Sequence, residues 1–269
     1  MDDHGWMRSR LRATLAATAA ALAVVAGGST PVTAAPVAVH VNDIPRVGAV
    51  FYPGLPGLTQ LLRLPHHCSG AVIHSSSRNL VLTAAHCIYG NGFLYQFAPD
   101  YQNGKFPEGL WTVRRVYLDP EWLHGNDPRH DYAILALAPA DIGGVARNIE
   151  DVVGGYAVGT APSAGTTVTV DGYVQGVGDE PLTCTTQTYA KDGYPAIDCG
   201  GFADGTSGGP WLSGNVLVGA IGGLQQGGCT PDTSYSAPFG PELASIVARA
   251  SAGGRGDTAL SLPGGSGCG

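Results

Sequence analysis

The chain has 269 residues, of which 44% are hydrophobic and only 13% are charged, and its formal net charge is −7. Lysine occurs only at Lys105 and Lys191, so we expect no nucleic-acid partner, because nucleic acids are bound mainly through basic side chains. The acidic balance weakly favours basic partners or substrates. The length allows one large β domain or two small ones.

The first residues have the pattern of a secretory signal peptide. Three arginines precede an uncharged, alanine-rich run over residues 13–26, and Val32-Thr33-Ala34 is a cleavage pattern of small residues. The apolar run is shorter than the roughly 20 residues that a membrane-spanning helix needs. We therefore predict a signal peptide over residues 1–34, secretion to the extracellular space, and no membrane attachment after cleavage.

The rest of the chain favours short strands. Residues 35–46 are rich in Pro, Val and Ala and are either a short propeptide or an extended lead-in. Residues 52–65, with several prolines and glycines, are predicted to be a loop. Short apolar or alternating runs predict strands at residues 47–51, 68–73, 80–83, 111–118, 132–137, 166–174, 182–190, 211–212 and 215–221.

One helix is predicted near the end of the chain. Residues 241–249 begin with a proline, which suits a first helical turn, and Gly253-Gly254 follows as a stop signal. Residues 253–269 are then a Gly-rich tail, expected to be mobile unless Cys268 ties it down. Arg255-Gly256-Asp257 in this tail spells an adhesion tripeptide, which we interpret as a chance match. Many strands and one late helix predict an all-β fold.

Three short motifs carry the chemistry. Ser207 lies in Gly205-Thr206-Ser207-Gly208-Gly209-Pro210, where glycines allow a tight turn and a close approach of substrate. A serine hydroxyl is a weak nucleophile unless a base activates it. His86, in Leu82-Thr83-Ala84-Ala85-His86-Cys87, is the candidate base. Asp131 opens the buried run Asp131-Tyr132-Ala133-Ile134-Leu135, which distinguishes it from Asp119, Asp127 and Asp141.

The order of these residues along the chain separates the known families of serine hydrolases. The serine motif also fits the G-x-S-x-G pattern of α/β-hydrolases, but there the histidine follows the serine, and all eight histidines here precede Ser207. The subtilisin order of Asp, His and Ser is also excluded, because the only suitable aspartate before His86 would be Asp43, in an unpromising setting. The order His86, Asp131, Ser207 remains.

The strings T-A-A-H-C and G-x-S-G-G-P, with D-Y-A-I-L between them, resemble the chymotrypsin-like (trypsin-like) serine proteases, in particular secreted bacterial members. The resemblance covers about residues 47–252 and implies two antiparallel six-stranded β-barrels with a C-terminal helix packed outside. It implies an N-terminal barrel over 47–155 and a C-terminal barrel over 156–238. A helix over 239–252 and the tail follow.

The resemblance also implies the chemistry. Ser207 would attack a peptide carbonyl, His86 would act as base and then acid, and Asp131 would orient the imidazole. The backbone N–H groups of Gly205 and Ser207 would form the oxyanion hole. We therefore expect a serine endopeptidase that forms an acyl-enzyme with protein or peptide substrates. It would act as a monomer and require no metal or organic cofactor.

Six cysteines in an exported chain predict disulfides. The family pairs the cysteine beside the catalytic histidine with one on the preceding strand, which implies Cys68–Cys87. The other four allow three pairings; we favour Cys184–Cys199, which leaves Cys229–Cys268, and Cys199–Cys229 is the rival. No C-x-x-C pair occurs in the sequence, so we do not expect the cysteines to bind zinc.

The sequence departs from the family in two places. Animal members carry Asp before the nucleophilic serine, where it pairs with a new N-terminal amine after activation; here that residue is Thr206. Although Arg46-Val47-Gly48 looks like an activation site, we predict that activation does not bury the amine of Val47.

The second departure is in the substrate pocket. Trypsin binds basic side chains through an Asp six residues before the serine, and here that position is Gly201. We predict a pocket for small or apolar side chains, with its residues being Gly201, Phe202, Asp204, Gly222, Gly223 and Leu224. The altered wall keeps two alternatives open, a catalytically inactive protease-like binding protein and an esterase on the same fold.

Overall fold

The structure is a computed structural model that describes residues 34–175 and 180–260 together with Met1 and Cys268. The predicted signal peptide lies outside the described residues except at its two ends, and much of the tail beyond residue 260 does too. Among the described residues, no helix has the length and apolarity needed to cross a membrane.

Strands dominate the first half of the chain. Its elements are β1 Val39–His40, β2 Val47–Phe51, α1 Pro56–Leu62, β3 His66–Ile73, β4 Leu80–Thr83, β5 Gln96–Pro99, β6 Trp111–Leu118, α2 Pro120–Gly125, β7 Ala133–Leu137, β8 Ala140–Ile142, β9 Val145–Arg147 and α3 Glu150–Val153. Short 3₁₀ turns lie at Ala85–Cys87 and Pro128–His130.

The second half continues in the same way. Its elements are β10 Ala157–Val158, β11 Thr167–Tyr173, β12 Pro181–Lys191, β13 Tyr194–Asp198, β14 Pro210–Ser213, β15 Val216–Ala220, β16 Thr233–Tyr235 and α4 Pro241–Ser251. A 3₁₀ turn covers Leu224–Gly227. The prediction of an all-β fold with a helix near the C terminus is confirmed.

Two rings of six strands form the body. The strands β2-β3-β4-β7-β6-β5 close into an antiparallel barrel. The second sheet follows the order β10-β15-β14-β11-β12-β13-β16. An isolated antiparallel bridge between Ile221 and Ser236 joins the continuations of β15 and β16, so β11 to β16 also return upon themselves. One bridge, rather than a full ladder, completes this second ring.

Three apolar cores hold the body together. One fills the first barrel and includes Val72, Leu135 and Trp111, all almost fully buried. Another lies within the second ring around Trp211. The third joins residues of both rings and receives the buried face of α4. Because apolar burial is the main favourable term in folding, this shared core fixes one ring against the other.

Two segments outside the rings are more ordered than the sequence indicates. The lead-in 35–46 belongs to the second sheet, since β1 pairs with β12 and the amide of Ala38 donates to Gly200 O at 2.7 Å. The first part of the tail is tied down, because Ala259 and Gly90 exchange backbone hydrogen bonds of 2.8 and 2.9 Å. Asp257 of the RGD tripeptide serves a structural purpose, since it accepts two hydrogen bonds from Arg249.

The predicted loop 52–65 is wrong in its centre, where α1 lies. Pro56 falls in the first turn, the one place in a helix where the missing N–H of proline is tolerated. Arg63 ends the helix in the left-handed conformation, with φ of 48°. Prolines read as loop signals can therefore begin a helix, and the sequence pattern did not distinguish the two.

Candidate active site

His86 sits at the end of a strand of the first barrel. The strand β4 ends at Thr83, and the turn Ala85–Cys87 then carries the imidazole away from the barrel. The disulfide Cys68–Cys87 ties this turn to β3, with 6.2 Å between the two Cα atoms. The turn is thus fixed on both sides of His86, as a positioned base requires.

Asp131 is buried beneath the imidazole. It follows the 3₁₀ turn Pro128–His130, is only 2% exposed, and precedes β7. Its carboxylate accepts hydrogen bonds from the backbone N of His86 at 2.9 Å, from Nδ1 of His86 at 2.8 Å and from the backbone N of Gly223 at 2.8 Å. Because a carboxylate can only accept here, Nδ1 carries its proton and Nε2 is left as the acceptor.

The neighbouring His130 does not join this network. Its Nδ1 lies 3.2 Å from the Asp119 carboxylate and 3.2 Å from the Tyr132 hydroxyl. His130 therefore has a structural role beside Asp119 and Tyr132. Burial, assisted by the charge of Asp119, raises the pKa of Tyr132 far above its usual value, so this hydroxyl stays neutral.

Ser207 lies in a turn that both rings hold in place. Gly205 and Gly208 have φ angles of 97° and 80°, which L side chains rarely adopt. The amide of Gly208 donates to Ile221 O at 2.7 Å, and Ser207 O accepts from the amide of Ser69 at 2.7 Å. Cys87 Sγ lies 3.9 Å from that same oxygen of Ser207. The serine turn and the histidine turn therefore meet across the junction of the two rings.

The hydrogen bonds of the described residues leave three groups of this turn unengaged. The amides of Gly205 and Ser207 donate to no protein group described, and no hydrogen bond joins the Ser207 hydroxyl to His86. Such contacts are often long before a substrate binds. Two unengaged amides on one turn are what an oxyanion hole needs.

Ser69 contributes to this site although no sequence motif points to it. Its side chain is fully buried; Oγ donates to Gly205 O at 2.9 Å and accepts from the amide of Tyr173 at 2.9 Å. Its amide holds Ser207 O, as described above. One residue of the first barrel thus supports both ends of the candidate oxyanion turn, and only its three-dimensional neighbours reveal this.

Thr206 occupies the position where animal relatives have a carboxylate. It is 3% exposed, and its hydroxyl donates to Ala203 O at 2.7 Å. This hydroxyl is satisfied locally and carries no charge. The turn is therefore shaped by backbone and hydroxyl contacts without an ion pair at this residue.

A cavity of about 390 Å³ opens beside Ser207. Its lining residues are Val174, Gln175, Phe202, Ala203, Asp204, Thr206, Ser207, Ile221, Gln226, Gly227, Gly228, Cys229, Thr230, Pro231 and Ser234. Among the described residues that line it, Asp204 is the one with a charged side chain. Phe202 and Ile221 are both buried and supply apolar surface.

Part of the cavity is lined by residues that lie further along the chain than the predicted pocket residues. Of the six predicted pocket residues, Phe202 and Asp204 line the cavity, but Gly201, Gly222, Gly223 and Leu224 are not among the lining residues. Gly223 instead holds Asp131, and Gly201 donates to Pro231 O at 2.9 Å. The wall runs from Gln226 to Pro231.

This wall has an unusual backbone. Gln225 and Gln226 have φ angles of 53° and 54°, and the two glycines that follow have φ angles of 110° and 132°. Non-glycine residues in the left-handed region are uncommon and cluster at functional sites. The disulfide Cys229–Cys268 anchors the end of this stretch. The sequence alone did not place this backbone in the pocket.

All three disulfides of the structure follow the favoured pairings. Cys68 is bonded to Cys87, Cys184 to Cys199 and Cys229 to Cys268. Side-chain atoms of Cys68, His86 and Cys87 lie within 4.8 Å of one another. Both sulfurs are in a disulfide and cannot act as thiolate ligands, so this cluster does not describe a metal site.

His67 lies immediately beside this disulfide. Its Nε2 is 2.9 Å from Cys87 O, and its ring stacks on Tyr52 with 3.9 Å between ring centroids. Burial lowers the pKa of His67 to about 4, which outweighs the hydrogen bond to Cys87. The ring is therefore uncharged at neutral pH, and it packs as an aromatic side chain between Tyr52 and the His86 turn.

Comparison with known proteins identifies similar peptidases. The family model described as a trypsin-like peptidase domain matches residues 68–219. The chain is similar to the crystal structure of protease Anisep from Arthrobacter nicotinovorans, with 24% identity, a TM-score of 0.65 and coverage of 80% of this chain and 100% of that one. Comparison with curated protein sequences gave no match.

Two further solved structures have the same fold. A thermostable serine protease, AL20, from an extremophilic microorganism has 25% identity, a TM-score of 0.63 and coverage of 77% of this chain and 97% of that one. A Glu endopeptidase has 16% identity, a TM-score of 0.61 and coverage of 81% and 97%. The similarities to Anisep and to the Glu endopeptidase, at 24% and 16% identity, concern the fold alone.

Proposed function

The chain belongs to the family of trypsin-like peptidase domains and is a serine-type endopeptidase, and from this premise we propose that His86, Asp131 and Ser207 are its catalytic triad. The observation that carries the proposal is the buried Asp131 carboxylate. It receives the backbone N and Nδ1 of His86 together with the amide of Gly223. This arrangement fixes the imidazole with its basic Nε2 available to the neighbouring serine turn.

The reaction begins with acyl transfer to the serine. Ser207 Oγ forms a bond to the substrate carbonyl carbon while its proton moves to His86 Nε2. The carbonyl π pair moves onto oxygen, and the amides of Gly205 and Ser207 would donate to that oxyanion. Asp131 stabilises the imidazolium and stays ionised. The carbon–nitrogen bond then breaks as Nε2 returns the proton to the leaving amine.

Hydrolysis of the acyl-enzyme completes the cycle. Water attacks the ester carbon and gives its proton to His86 Nε2, and the second tetrahedral intermediate then collapses. Ser207 Oγ leaves with that proton, and a carboxylic acid is released. One donor of an oxyanion hole contributes roughly 3–4 kcal/mol to this stabilisation, so the orientation of the Gly205 amide matters for the rate.

We propose that the cavity beside Ser207 binds an uncharged side chain on the acyl side of the scissile bond. Its buried surface comes from Phe202 and Ile221, and a cavity of about 390 Å³ suits a side chain of small or medium size. Asp204 lies in the exposed part of the lining, where its charge would disfavour acidic substrates. Peptide libraries cleaved preferentially after Glu would contradict this assignment.

Secretion is part of the proposal. Three disulfides are expected in a protein that matures in an oxidising compartment. The apolar run and cleavage pattern before residue 35 supply the export signal. Sequencing the N terminus of the extracellular protein tests this, and a start at or after Ala35 is the expected result.

Labelling with a fluorophosphonate probe tests the triad. The probe reacts with a serine only where base and oxyanion hole are assembled. We expect labelling at Ser207, located by mass spectrometry, its loss in Ser207→Ala, and a strong reduction in Asp131→Asn. Ser213→Ala, in β14 close by in sequence, is the matched control and should label normally.

The outcomes separate the rival functions. Well-folded wild-type protein that does not label would refute an active triad and favour a binding protein on the same fold. Labelling together with hydrolysis of small esters but not of casein or peptides would identify an esterase. Labelling with peptide hydrolysis supports the endopeptidase.

A further inference from the structure

An exposed apolar surface lies next to the His86 turn. Two segments form it, residues 52–64 and residues 89–93, and we call them together the leucine patch. Most of the exposed large apolar side chains of the described residues are here: Tyr52, Leu55, Leu58, Leu61, Leu62, Leu64, Tyr89 and Phe93. Contiguous exposed apolar surface of this kind marks interaction sites in soluble proteins.

The helix α1 within the patch exposes apolar side chains to solvent and buries a polar one. Leu61 and Leu62 are 76% and 60% exposed, whereas Thr59 on the same helix is fully buried. A surface helix normally presents its apolar side chains to the core and its polar ones to water. Leaving leucines in water forgoes the main stabilising term of folding, so this arrangement needs a binding function to account for it.

The two segments are one surface. The amide of Gly54 donates to Leu94 O at 3.0 Å, which joins the beginning of one segment to the end of the other. The amide of Tyr89 donates to the Tyr95 hydroxyl at 3.2 Å, and the Tyr95 ring packs on His67. Arg63, which is exposed between Leu62 and Leu64, is the one charged residue in the two segments, so the patch is mainly apolar.

The patch extends on one side along the tail. Ala259 pairs with Gly90, and the next residue, Leu260, is 84% exposed. On another side the patch reaches the site itself. Tyr52 stacks on His67, and His67 binds Cys87 O, one residue beyond His86. The apolar surface is therefore continuous with the turn that carries the base.

This continuity identifies the occupant. His86 delivers a proton to the departing amine, so the leaving-group side of the substrate must pass the histidine turn. We assign the acyl side to the cavity beside Ser207, which residues of the second ring and its loops line. A chain that leaves Ser207 past His86 meets Cys87, His67 and then Tyr52.

We propose that the leucine patch binds apolar side chains on the leaving-group side of a protein substrate and thereby selects where the chain is cut. This inference rests on the proposed peptidase function and adds a substrate class to it. The preferred substrate carries leucine-like or aromatic residues in the first few positions after the scissile bond.

The test compares substrates that share the same acyl side. One quenched peptide has Leu at the first three positions after the scissile bond, a second has Ser there, and a p-nitroanilide has no leaving-group residues at all. The variants are Leu61→Ser, Leu62→Ser and their double, with Val145→Ser as matched control because it is 55% exposed in β9. Wild-type enzyme should prefer the Leu peptide over the Ser peptide.

In the double variant we expect kcat/KM for the Leu peptide to fall about fivefold to tenfold, the scale of losing part of the burial of two leucines. Hydrolysis of the Ser peptide and of the anilide should stay within twofold of wild type, and Val145→Ser should change none of the three. An equal loss on all three substrates, or no loss on the Leu peptide, would overturn the proposal. A change from dimer to monomer in sedimentation, without a change in preference, would assign the patch to a second copy and also overturn it.

A binding measurement keeps this inference separate from catalysis. Ser207→Ala protein is titrated with a fluorescent peptide that corresponds to the leaving-group side alone, in its Leu and Ser forms. Tighter binding of the Leu form, lost in the Leu61→Ser/Leu62→Ser background, supports the patch even if the wild-type protein turns over no substrate. Equal binding of both forms refutes the patch even if the wild-type protein is an active peptidase.

Discussion

The hydroxyl of Ser69 should contribute both to stability and to catalysis. Its hydroxyl donates to Gly205 O and accepts from the amide of Tyr173, both at 2.9 Å, inside a fully buried site. Ser69→Ala leaves a carbonyl and an amide buried without a partner, and each such group costs about 1–3 kcal/mol. We therefore expect the free energy of unfolding to fall by about 2–6 kcal/mol.

The same substitution should also reduce catalysis. Once Gly205 O is released, the peptide unit beside it can rotate, and the amides of Gly205 and Ser207 no longer point reliably at the oxyanion. Loss of one such donor lowers kcat by about 10²–10³-fold. Part of that loss is expected here, about tenfold or more at temperatures where the variant is fully folded, with KM little changed because the cavity beside Ser207 is intact.

Ser236 provides a matched control. It is also fully buried, and its hydroxyl accepts from the amide of Ala220 at 3.0 Å and donates to Ala237 O at 2.8 Å. Ser236→Ala should therefore destabilise the protein about as much as Ser69→Ala while leaving kcat close to wild type.

Urea unfolding measured in a Ser207→Ala background gives the stabilities without self-digestion. Single-turnover kinetics on the enzymes with Ser207 intact give the catalytic effect. An equal fall of kcat in the Ser69 and Ser236 variants, or a destabilised Ser69→Ala enzyme with unchanged kcat, would refute this reasoning.

Two further predictions follow from the surroundings of the site. Burial lowers the pKa of His67 from 6.5 to about 4. As pH falls, the unfolded chain therefore binds a proton at His67 before the folded chain does. The contribution of the neutral ring to stability is complete above pH 6.5 and is lost as the pH falls towards 4. The free energy of unfolding should fall by about 3 kcal/mol over this range, at roughly 1.4 kcal/mol per pKa unit of difference. In His67→Phe, the free energy measured by urea unfolding should depend on pH less steeply by that amount. The same pH dependence in the variant and in the wild type would contradict this prediction. Replacing Cys229 and Cys268 together by Ser opens a disulfide with a sequence separation of 39, which should cost about 4 kcal/mol. It should also raise KM more than it lowers kcat, because Cys229 lines the cavity; an effect on stability alone would contradict that second part.

The catalytic candidates could be recognised from the sequence because each is encoded locally. His86 follows a strand and precedes a cysteine, and Asp131 opens an apolar strand, so their neighbours in sequence are also their structural supports. The order of the three residues then excluded the other folds. The network that joins Asp131 to Gly223 is different, because it depends on an amide 92 residues away.

The pocket wall could not be predicted for the same reason. The backbone of Gln225 and Gln226 is left-handed, and the propensities of these residues do not predict that conformation. The residues that line the cavity after this backbone are Gln226 to Pro231, and Leu224 is not among them. Two other features also depend on contacts between residues that are distant in sequence, and no local pattern predicts them. They are the support of the serine turn by Ser69 and the closure of the second ring through Ile221 and Ser236.

The last prediction concerns activation. Val47 is fully buried inside β2, and its amide donates to Ile44 O at 2.8 Å, so it is engaged with the chain that precedes it. The guanidinium of Arg46 lies 4.2 Å over the Tyr156 ring and binds Asn215 Oδ1 at 2.5 Å. Thr206 offers no carboxylate to a new amine, so cutting between Arg46 and Val47 would break contacts without creating an ion pair there.

Arg46→Gln tests this directly, because it removes the cleavable residue. The variant should be secreted, keep residues before Val47, and have kcat/KM within about twofold of wild type. Its stability should fall by about 0.5–1 kcal/mol, the usual contribution of an exposed cation–π contact. The decisive comparison is with wild-type protein treated with trypsin at that bond. An inactive Arg46→Gln protein, together with wild-type activity that appears only after cleavage, would mean that the amine of Val47 finds another partner and that the segment 35–46 is a propeptide.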